Sequence, residues 1–323
     1  MPKITHEIKV GKVGIRTFAT VQIDSSATVL SDTAVIELPA YNHNVPFDAE
    51  ATFTRGDKVS VLLGYNGKNR VEFNGYLKAI SSNNPVRLEC EDGMYLFRKK
   101  IQNKAFKSPD ISTILNYVIG QIGGFTLNCS VSGIQFSNFN IINSTGFEVL
   151  QKLKQECSVG IFIVDNVLHC HLLYSGESSR VRGRVKYTMQ LDIQEGSSFT
   201  FLNGKDRKFL VKIEGLTAKN TKVEAQVGDE GGEVITLKRP NISDKTALEK
   251  VAREAWTVRN LDGYQESTLK AWGNKDCEVG YAVTVEDLDL PARTSSYYVT
   301  EVKTIVSPEN GYEKNIKLGI RLS

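Results

Sequence analysis

The residues most suited to chemistry in this chain are few. His169, Cys170 and His171 form a short run of metal-ligating atoms. On a strand, alternate side chains point to the same side, so His169 and His171 would share a face and could hold a metal between two imidazoles. No third ligand lies nearby in the sequence, and the chain has only four histidines. The pattern therefore favours strand residues at a surface or interface over a metal site.

A second candidate is the acidic stretch Glu286-Asp287-Leu288-Asp289. Glycoside hydrolases need two carboxyl groups across a sugar, and Asp287 or Asp289 would be the reacting groups. The stretch is predicted to lie in a loop between strands, where solvated carboxylates are common. A Gly-x-Ser-x-Gly nucleophile motif is not found in the sequence. We therefore predict no catalytic residue, no cofactor and no metal, and a chain that is not an enzyme.

Two further runs carry weaker signals. The stretch Gly228-Asp229-Glu230-Gly231-Gly232 is not followed by the Lys-Ser/Thr and helix that a phosphate loop requires, so it predicts a turn. Arg180, Arg182, Arg184 and Lys186 alternate along one predicted strand. This spacing favours a solvated strand edge protected by charge, with an acidic neighbour as the alternative.

Composition excludes several classes of protein. Forty basic and 37 acidic side chains give a net charge of +3, which predicts no strong attraction to nucleic acid or to anionic membranes. The apolar stretch at residues 159–164 is far shorter than the roughly 20 residues of a membrane span, and the N-terminus lacks a secretory pattern. Five scattered cysteines without a Cys-x-x-Cys pair predict buried, reduced thiols. We expect synthesis in the cytoplasm and no membrane insertion.

The elements that position these residues are mostly strands. Apolar and polar residues alternate through the first hundred positions, and the Asn66-Gly67 step is typical of a tight hairpin because both residues tolerate positive φ. The strands predicted in this part are residues 7–10, 20–23, 34–38, 58–63, 72–80 and 86–90. Short strands at this spacing predict a first small β-barrel domain over residues 1–100.

Residues 101–183 predict a small mixed α/β insert. The tripeptide Ser108-Pro109-Asp110 is typical of a helix start, with Ser108 as the cap, and Gly123-Gly124 ends the helical spacing. A second helix is predicted at about 145–157, followed by a hairpin around Asp165-Asn166.

Residues 184–323 return to strands and predict a second barrel that includes a helix at about 244–259. The predicted fold class is therefore α+β and mainly β, with two similar small β-barrel domains and a mixed α/β insert between them.

The two barrels contain the same segment. The residues from Gly56 align without a gap with those from Gly280, Tyr76 aligns with Tyr298 after a two-residue offset, and a closing strand follows in each copy. We call residues 56–90 the first repeat and residues 280–320 the second repeat. Each leading glycine is expected at a turn where a β-carbon costs energy. The predicted structural motif positions are Gly56, Asp57, Gly75, Tyr76, Gly280, Tyr298 and Gly311.

These segments resemble the tail-hub family of contractile phages, known as late control protein D or Mu-like baseplate hub proteins. The N-terminal part of type VI secretion spike proteins is similar. The likeness lies in residues 53–59, 73–77, 278–283, 296–302 and 309–312, together with the helix at 246–259. The family commonly has aspartate after the glycine of the second barrel, where this chain has Tyr281.

The resemblance implies a non-catalytic structural protein. It implies a homotrimer whose six barrels form a pseudo-six-fold ring between the tail tube protein and a spike protein, among other baseplate proteins. The basic run would then face the ring lumen. Because the chain ends at Ser323, just after the last predicted strand, we expect the spike to be a separate polypeptide. We expect assembly into a virion tail or injection device after synthesis in the bacterial cytoplasm.

Two alternatives remain open. One is a two-barrel module that binds a cell surface or a carbohydrate, although Trp256 and Trp272 are the only tryptophans available for it. The other is a polysaccharide hydrolase.

Overall fold

A computed structural model describes residues 3–42, 45–172, 182–199, 201–202, 207–217, 221–260, 263–264, 267–291 and 294–322. The chain is mainly β with a few helices, which confirms the predicted fold class. It divides into two compact units, one of Met1–Tyr95, Val181–Thr200 and Tyr264–Ser323 and one of Leu96–Arg180 and Phe201–Gly263. The division into domains at 1–100, 101–183 and 184–323 stays a prediction.

The N-terminal part of the first unit is built from strands. They are β1 (Ile4–Val10), β2 (Val13–Ile15), β3 (Thr20–Ser26), β4 (Thr33–Leu38), β5 (Tyr41–Asn42), β6 (Val45–Pro46), β7 (Lys58–Tyr65), β8 (Lys68–Ser81) and β9 (Val86–Glu91), with the short helix α1 (Ala49–Thr52) and a 3-10 helix (Gly93–Arg98). Asn66 and Gly67 have φ of 54° and 82°. They join β7 to β8 in the predicted hairpin, with Tyr65 opposite Lys68.

The first part of the second unit mixes helices with short strands. They are β10 (Lys104–Lys107), α2 (Ile111–Ile122), β11 (Thr126–Cys129), β12 (Asn138–Ile141), α3 (Gly146–Cys157), β13 (Val159–Val164) and β14 (Val167–Leu172). Thr145 and Glu148 form a capping box at the start of α3. The predicted Ser108 cap of α2 is wrong, because the carboxylate of Asp110 accepts the Thr113 N–H and so makes Asp110 the N-cap.

The rest of the chain returns to strands. Its elements are β15 (Arg184–Thr188), α4 (Met189–Asp192), β16 (Phe201–Leu202), β17 (Phe209–Leu216), β18 (Lys222–Gly228), β19 (Glu233–Arg239), α5 (Lys245–Arg259), β20 (Gly263–Tyr264), β21 (Thr268–Trp272), β22 (Ala282–Glu286), β23 (Ser295–Ser307) and β24 (Gly311–Arg321). Within the second unit, α5 begins at its N-cap Asp244 and packs on β17 and β18.

The strands of the first unit do not close into two barrels. Their pairing follows one open path through β24, β23, β3, β4, β9, β8, β7, β1 and β2, with β21 on β24, β22 on β23 and β15 on β22. The physical reason is that β3 pairs with β23, where Ile23 lies opposite Thr304. This pairing joins the N-terminal strands to the second repeat in one sheet. The prediction of two closed barrels is therefore corrected among the described strands.

Two hydrophobic cores lie on this sheet, and the first also includes Val306 and Tyr312 of the second repeat. The first core contains buried residues of β1, β3, β4, β7, β8 and β9, among them Ile8, Ile36 and Val61. The second contains buried residues of β15, β21, β22, β23 and β24, among them Tyr187, Leu269 and Val299. Two cores on one sheet explain why the sequence pattern looks like two separate barrels.

Candidate assembly site

The turn that opens the first repeat is held by backbone hydrogen bonds. Gly56 has φ of +90°, a conformation that costs little only for glycine. Its N–H donates to the Leu77 carbonyl over 2.8 Å, and the Leu77 N–H donates back to the Asp57 carbonyl over 2.8 Å. The Asp57 N–H donates to the Thr54 carbonyl over 3.0 Å. The turn therefore docks onto the middle of β8.

The turn that opens the second repeat has the same bonds. Gly280 has φ of +86°. Its N–H donates to the Val299 carbonyl over 3.0 Å, and the Val299 N–H donates to the Tyr281 carbonyl over 2.9 Å. The Tyr281 N–H donates to the Glu278 carbonyl over 3.1 Å. Every donor and acceptor of the first turn thus has an equivalent in the second turn.

The correspondence continues into the strands. Tyr76 lies opposite Lys58, and Tyr298 lies opposite Ala282, so the two predicted tyrosines occupy equivalent places. A register shift follows immediately in each long strand, between Leu77 and Ala79 in β8 and between Val299 and Glu301 in β23. Each shift marks a β-bulge or a similar irregularity, at which the regular pairing of the two strands is interrupted. The repeated segments therefore share the turn and one register shift, while β23 has a second shift between Tyr297 and Val299.

The repeats differ in chemistry at the position after the leading glycine, which is Asp57 in the first repeat and Tyr281 in the second. The Asp57 carboxylate accepts the Thr54 N–H over 2.9 Å, whereas the Tyr281 hydroxyl lies 3.2 Å from the Asp276 carboxylate. Both side chains lie against a glycine of the neighbouring strand or turn. A β-carbon on Gly11 would come within 2.9 Å of the Asp57 carboxylate, and one on Gly183 within 2.6 Å of the Tyr281 ring.

The strands that flank the two repeats run in opposite senses. In the first repeat, β1 pairs antiparallel with β7. In the second, β15 pairs parallel with β22. The equivalence of the repeats therefore ends at this edge of each copy.

The remaining motif glycines have different roles. Gly75 is buried opposite Val59, and a β-carbon there would meet the Glu91 carbonyl and would come within 2.7 Å of the Phe73 ring. Gly311 has φ of +69° and begins β24, opposite Ser307 in the β23–β24 hairpin.

A buried ionic network joins the two repeats. We define the inter-repeat network as Arg70, Glu72, Tyr312 and Lys314. The Glu72 carboxylate accepts from the Tyr312 hydroxyl over 2.6 Å, from Arg70 Nε over 2.5 Å and from Lys314 Nζ over 2.8 Å. Charge-assisted hydrogen bonds of this kind are about twice as strong as neutral ones.

The same network anchors backbone from the second half of the chain. Arg70 donates to the Gly273 carbonyl over 2.5 Å, and Lys314 donates to the Cys277 carbonyl over 3.1 Å. Tyr65 stacks on Tyr312 with ring centroids 5.5 Å apart. Burial, followed by the charge of Glu72, raises the pKa of the Tyr312 hydroxyl well above its usual range. The network therefore fixes one repeat against the other through both charge and shape.

Three acidic groups lie together at the end of β9 and the start of β4. Glu91 is fully buried, and Asp92 is nearly so. The Asp92 carboxylate accepts the backbone N–H groups of Asp32 and Met94 over 3.1 and 3.0 Å. Burial raises the pKa of Asp32 to about 6, and burial with the charge of Asp32 also raises the pKa of Asp92. The sequence carried no signal for this cluster.

The predicted histidine pair is engaged in aromatic contacts. His169 stacks on Phe162 with centroids 4.9 Å apart, and His171 meets the same ring edge-on at 5.1 Å. Within the part of the chain that the structure describes, no group of three or more His, Cys, Asp or Glu side chains could hold a metal ion.

The predicted acidic loop at residues 286–289 is stabilised by hydrogen bonds within the loop and to Gln190. Asp287 is buried, and its carboxylate accepts the backbone N–H groups of Asp289 and Leu290 over 3.0 Å each. Gln190 donates to both Asp287 and Asp289, over 3.1 and 2.9 Å. The hydrogen bonds of Asp287 and Asp289 therefore hold this loop together, which gives both carboxylates a structural role.

The predicted basic run finds acidic neighbours within the chain. Arg182 pairs with Glu278 over 3.0 Å, and Lys186 pairs with Glu286 over 2.8 Å. Arg184 is exposed at the start of β15, and Arg180 lies outside the described residues. The sequence predicted either a charged strand edge or an acidic neighbour for this run, and the structure has both.

None of the described helices has the length and apolar character needed to cross a membrane. The turn at 228–232 leads into β19, as predicted, although β19 pairs with β17 rather than with β18.

The fold described above is similar to that of solved phage tail proteins. The chain superposes on the tail protein from Neisseria meningitidis MC58 with a TM-score of 0.71 and 13% identity, covering 98% of this chain and 96% of that one. The chain also superposes on the 43 kDa tail protein of prophage MuSo2 from Shewanella oneidensis. The TM-score is 0.66 at 14% identity, and the match covers 97% of each chain.

A third solved structure connects this fold with type VI secretion. It is the Escherichia coli c3393 protein, a component of the type VI secretion system that resembles the bacteriophage T4 tail proteins gp27 and gp5. The TM-score is 0.60 at 12% identity, and the match covers 99% of this chain and 77% of that one. The resemblance predicted from sequence is confirmed at the level of the fold. By sequence, no protein-family model matches, and neither does any curated protein.

Proposed function

We propose that the chain is a structural baseplate or tail-hub subunit of a phage tail or of a phage-derived contractile injection device. The observation that carries this proposal is the equivalence of the hydrogen-bonded turns at Gly56 and Gly280. Two near-equivalent repeats in each chain give a homotrimer six near-equivalent positions around its axis. Such a ring matches a six-fold tail tube on one face and can bind a spike protein on the other, with other baseplate proteins around it.

The inter-repeat network supports the same role. A ring that transmits force along a tail needs its two repeats held at one fixed relation within each chain. The contacts of Glu72 with Arg70, Tyr312 and Lys314 supply such a constraint. The proposal assigns the chain no catalytic step, and the motif glycines and tyrosines act as structural positions.

The test is the native mass of the purified chain, alone and with the tail tube protein from the same genome. We expect a trimer, formed alone or on addition of the tube protein, and negative-stain class averages of a ring with apparent six-fold symmetry. A stable monomer that binds neither tube nor spike protein would overturn the proposal. If that monomer bound polysaccharide on a glycan array, the carbohydrate-binding alternative would replace it.

A further inference from the structure

Two cysteines of the second unit face each other across neighbouring strands. β11 and β14 are parallel, and their register places Cys129 directly opposite Cys170. Adjacent strands lie about 4.8 Å apart, which is within the roughly 4.4–6.8 Å between Cα atoms that a disulfide spans. We propose that Cys129 and Cys170 form a reversible disulfide, which makes this pair a site of oxidative modification.

Exposure separates Cys129 from the other cysteines. In the described part of the chain, which includes all five cysteines, Cys129 is half-buried and the rest are buried. The sequence-based expectation of five buried thiols is therefore wrong at Cys129. Because a soluble oxidant can reach Cys129 but not Cys170 directly, Cys129 is the entry point for the reaction.

The reactivity of the two thiols is also unequal. A hydrogen bond from the Cys170 thiol, opposed by burial and helped by Ser112, lowers the pKa of Cys129 to about 6. The same contact, followed by burial, raises the pKa of Cys170. At neutral pH, Cys129 is therefore the thiolate that attacks, and thiolates rather than thiols are the nucleophiles in this chemistry.

The reaction with a small-molecule disulfide balances in two steps. The Cys129 thiolate attacks one sulfur of glutathione disulfide, forms a mixed disulfide and releases one glutathione thiolate. Cys170 then loses its proton to that thiolate or to solvent and attacks the Cys129 sulfur, which releases the second glutathione. The protein loses two electrons and two protons, and glutathione disulfide is reduced to two thiols. Once Cys129 is in the neutral mixed disulfide, its charge no longer raises the pKa of Cys170.

The bond would close a loop that includes α3 and β13. Crosslinking a loop of about 40 residues restricts the unfolded chain and is expected to raise the melting temperature by roughly 5–15 °C. In an assembly that leaves the reducing cytoplasm, the bond would form on exposure to an oxidising exterior. The chemistry itself does not depend on the proposed tail function.

The experiment treats the purified full chain with glutathione disulfide at pH 7.5, without denaturant. We expect an intact mass lower by two hydrogens, a non-reduced peptide map joining Cys129 to Cys170, and a higher melting temperature that a thiol reductant reverses. Cys157 also lies near enough to Cys170 to raise its pKa. For this reason Cys157→Ser is the matched control, and it is expected to retain the Cys129–Cys170 bond.

Two variants make the assignment decisive. Cys129→Ser must abolish the reaction, and Cys170→Ala must stop it at a stable mixed disulfide of Cys129 with glutathione. If Cys170→Ala does not fold, the pH profile of iodoacetamide alkylation at Cys129 in the wild-type chain replaces it, with half-maximal rate expected near pH 6. A wild-type chain that stays glutathionylated at Cys129, or that joins Cys157 to Cys170, would overturn the proposal.

Discussion

Glu72 and Lys314 form an ion pair of 2.8 Å in which the side chains are only 6% and 1% exposed. Glu72 comes from β8 of the first repeat, and Lys314 comes from β24 of the second. Removing two charges from water is costly, so such a pair is stable only while both partners and their hydrogen bonds remain. The pair therefore ties the folding of each repeat to the correct docking of the other.

Replacing Glu72 with Gln should be strongly destabilising. The substitution leaves Lys314 buried without its counter-charge and weakens the bonds of Arg70 and Tyr312. We expect a loss of about 3–5 kcal/mol in the free energy of unfolding, measured by urea titration. Glu7→Gln is the control, because its pair with Lys9 is largely exposed and contributes about 0–1 kcal/mol. Equal losses in both variants would contradict a buried inter-repeat network.

Gly75→Ala should destabilise the first repeat through steric overlap. The new methyl group would meet the Glu91 carbonyl and the Phe73 ring inside the β7–β8–β9 sheet, where neither can move freely. Overpacking of this kind costs about 1–3 kcal/mol. Gly14→Ala in β2 is the control, since nothing lies within 4 Å of a β-carbon there. Thermal melts should show a lower midpoint for Gly75→Ala and little change for Gly14→Ala.

Gly56→Ala and Gly280→Ala should have similar effects on stability. Both glycines have φ near +90°, and placing an L-residue in that region costs roughly 1–2 kcal/mol. The Gly280 variant should be slightly worse, because its β-carbon would lie 3.2 Å from Arg182 Cδ, whereas the nearest atom at Gly56 is 3.5 Å away. The two changes in unfolding free energy are to be compared in one urea series. A loss at only one of the two positions would show that the turns are not equivalent.

Local sequence signals predicted the elements that depend on local contacts. The Asn66-Gly67 turn, the stop of α2 at Gly123 and the start of α5 next to Asp244 follow from residues a few positions apart. The alignment of Gly56 with Gly280 rests on the same kind of signal, because a repeated turn leaves the same residue types twice in the sequence.

Contacts between distant residues left no such signal. Arg70 and Glu72 look like an ordinary surface pair on alternate positions of a strand, and nothing in the sequence indicates that Tyr312 and Lys314 complete their network. The sequence also does not predict the pairing of β3 with β23, because a strand pattern specifies which face is buried but not which strand lies beside it. The open sheet could therefore not be derived from periodicity.

The contribution of Asp32 to the stability of the chain should fall as the pH rises from about 4 to 6. Burial raises the pKa of Asp32 from 3.8 to about 6 in the folded state, so the folded chain holds a proton that the unfolded chain has already released. The contribution of this proton to stability is complete below about pH 3.8 and is lost as the pH rises through 6. Above that pH, the ionised carboxylate lies partly buried beside Asp92, with Arg182 giving partial compensation.

Asp32→Asn tests this dependence directly. The amide oxygen can still accept the Ser26 N–H that Asp32 accepts over 3.2 Å, while the partly buried negative charge is removed. We expect the variant to gain about 1–2 kcal/mol at pH 7.5, after allowing for the loss of one acceptor, and to gain nothing at pH 3.5. Urea titrations of both chains at half-unit steps from pH 3.5 to 7.5 should give a flatter curve for the variant. The control is Asp24→Asn, because Asp24 is about 44% exposed and its pair with Lys303 is long, at 3.9 Å. A difference between wild type and Asp32→Asn that is the same at every pH would mean that the ionisation of Asp32 is not responsible.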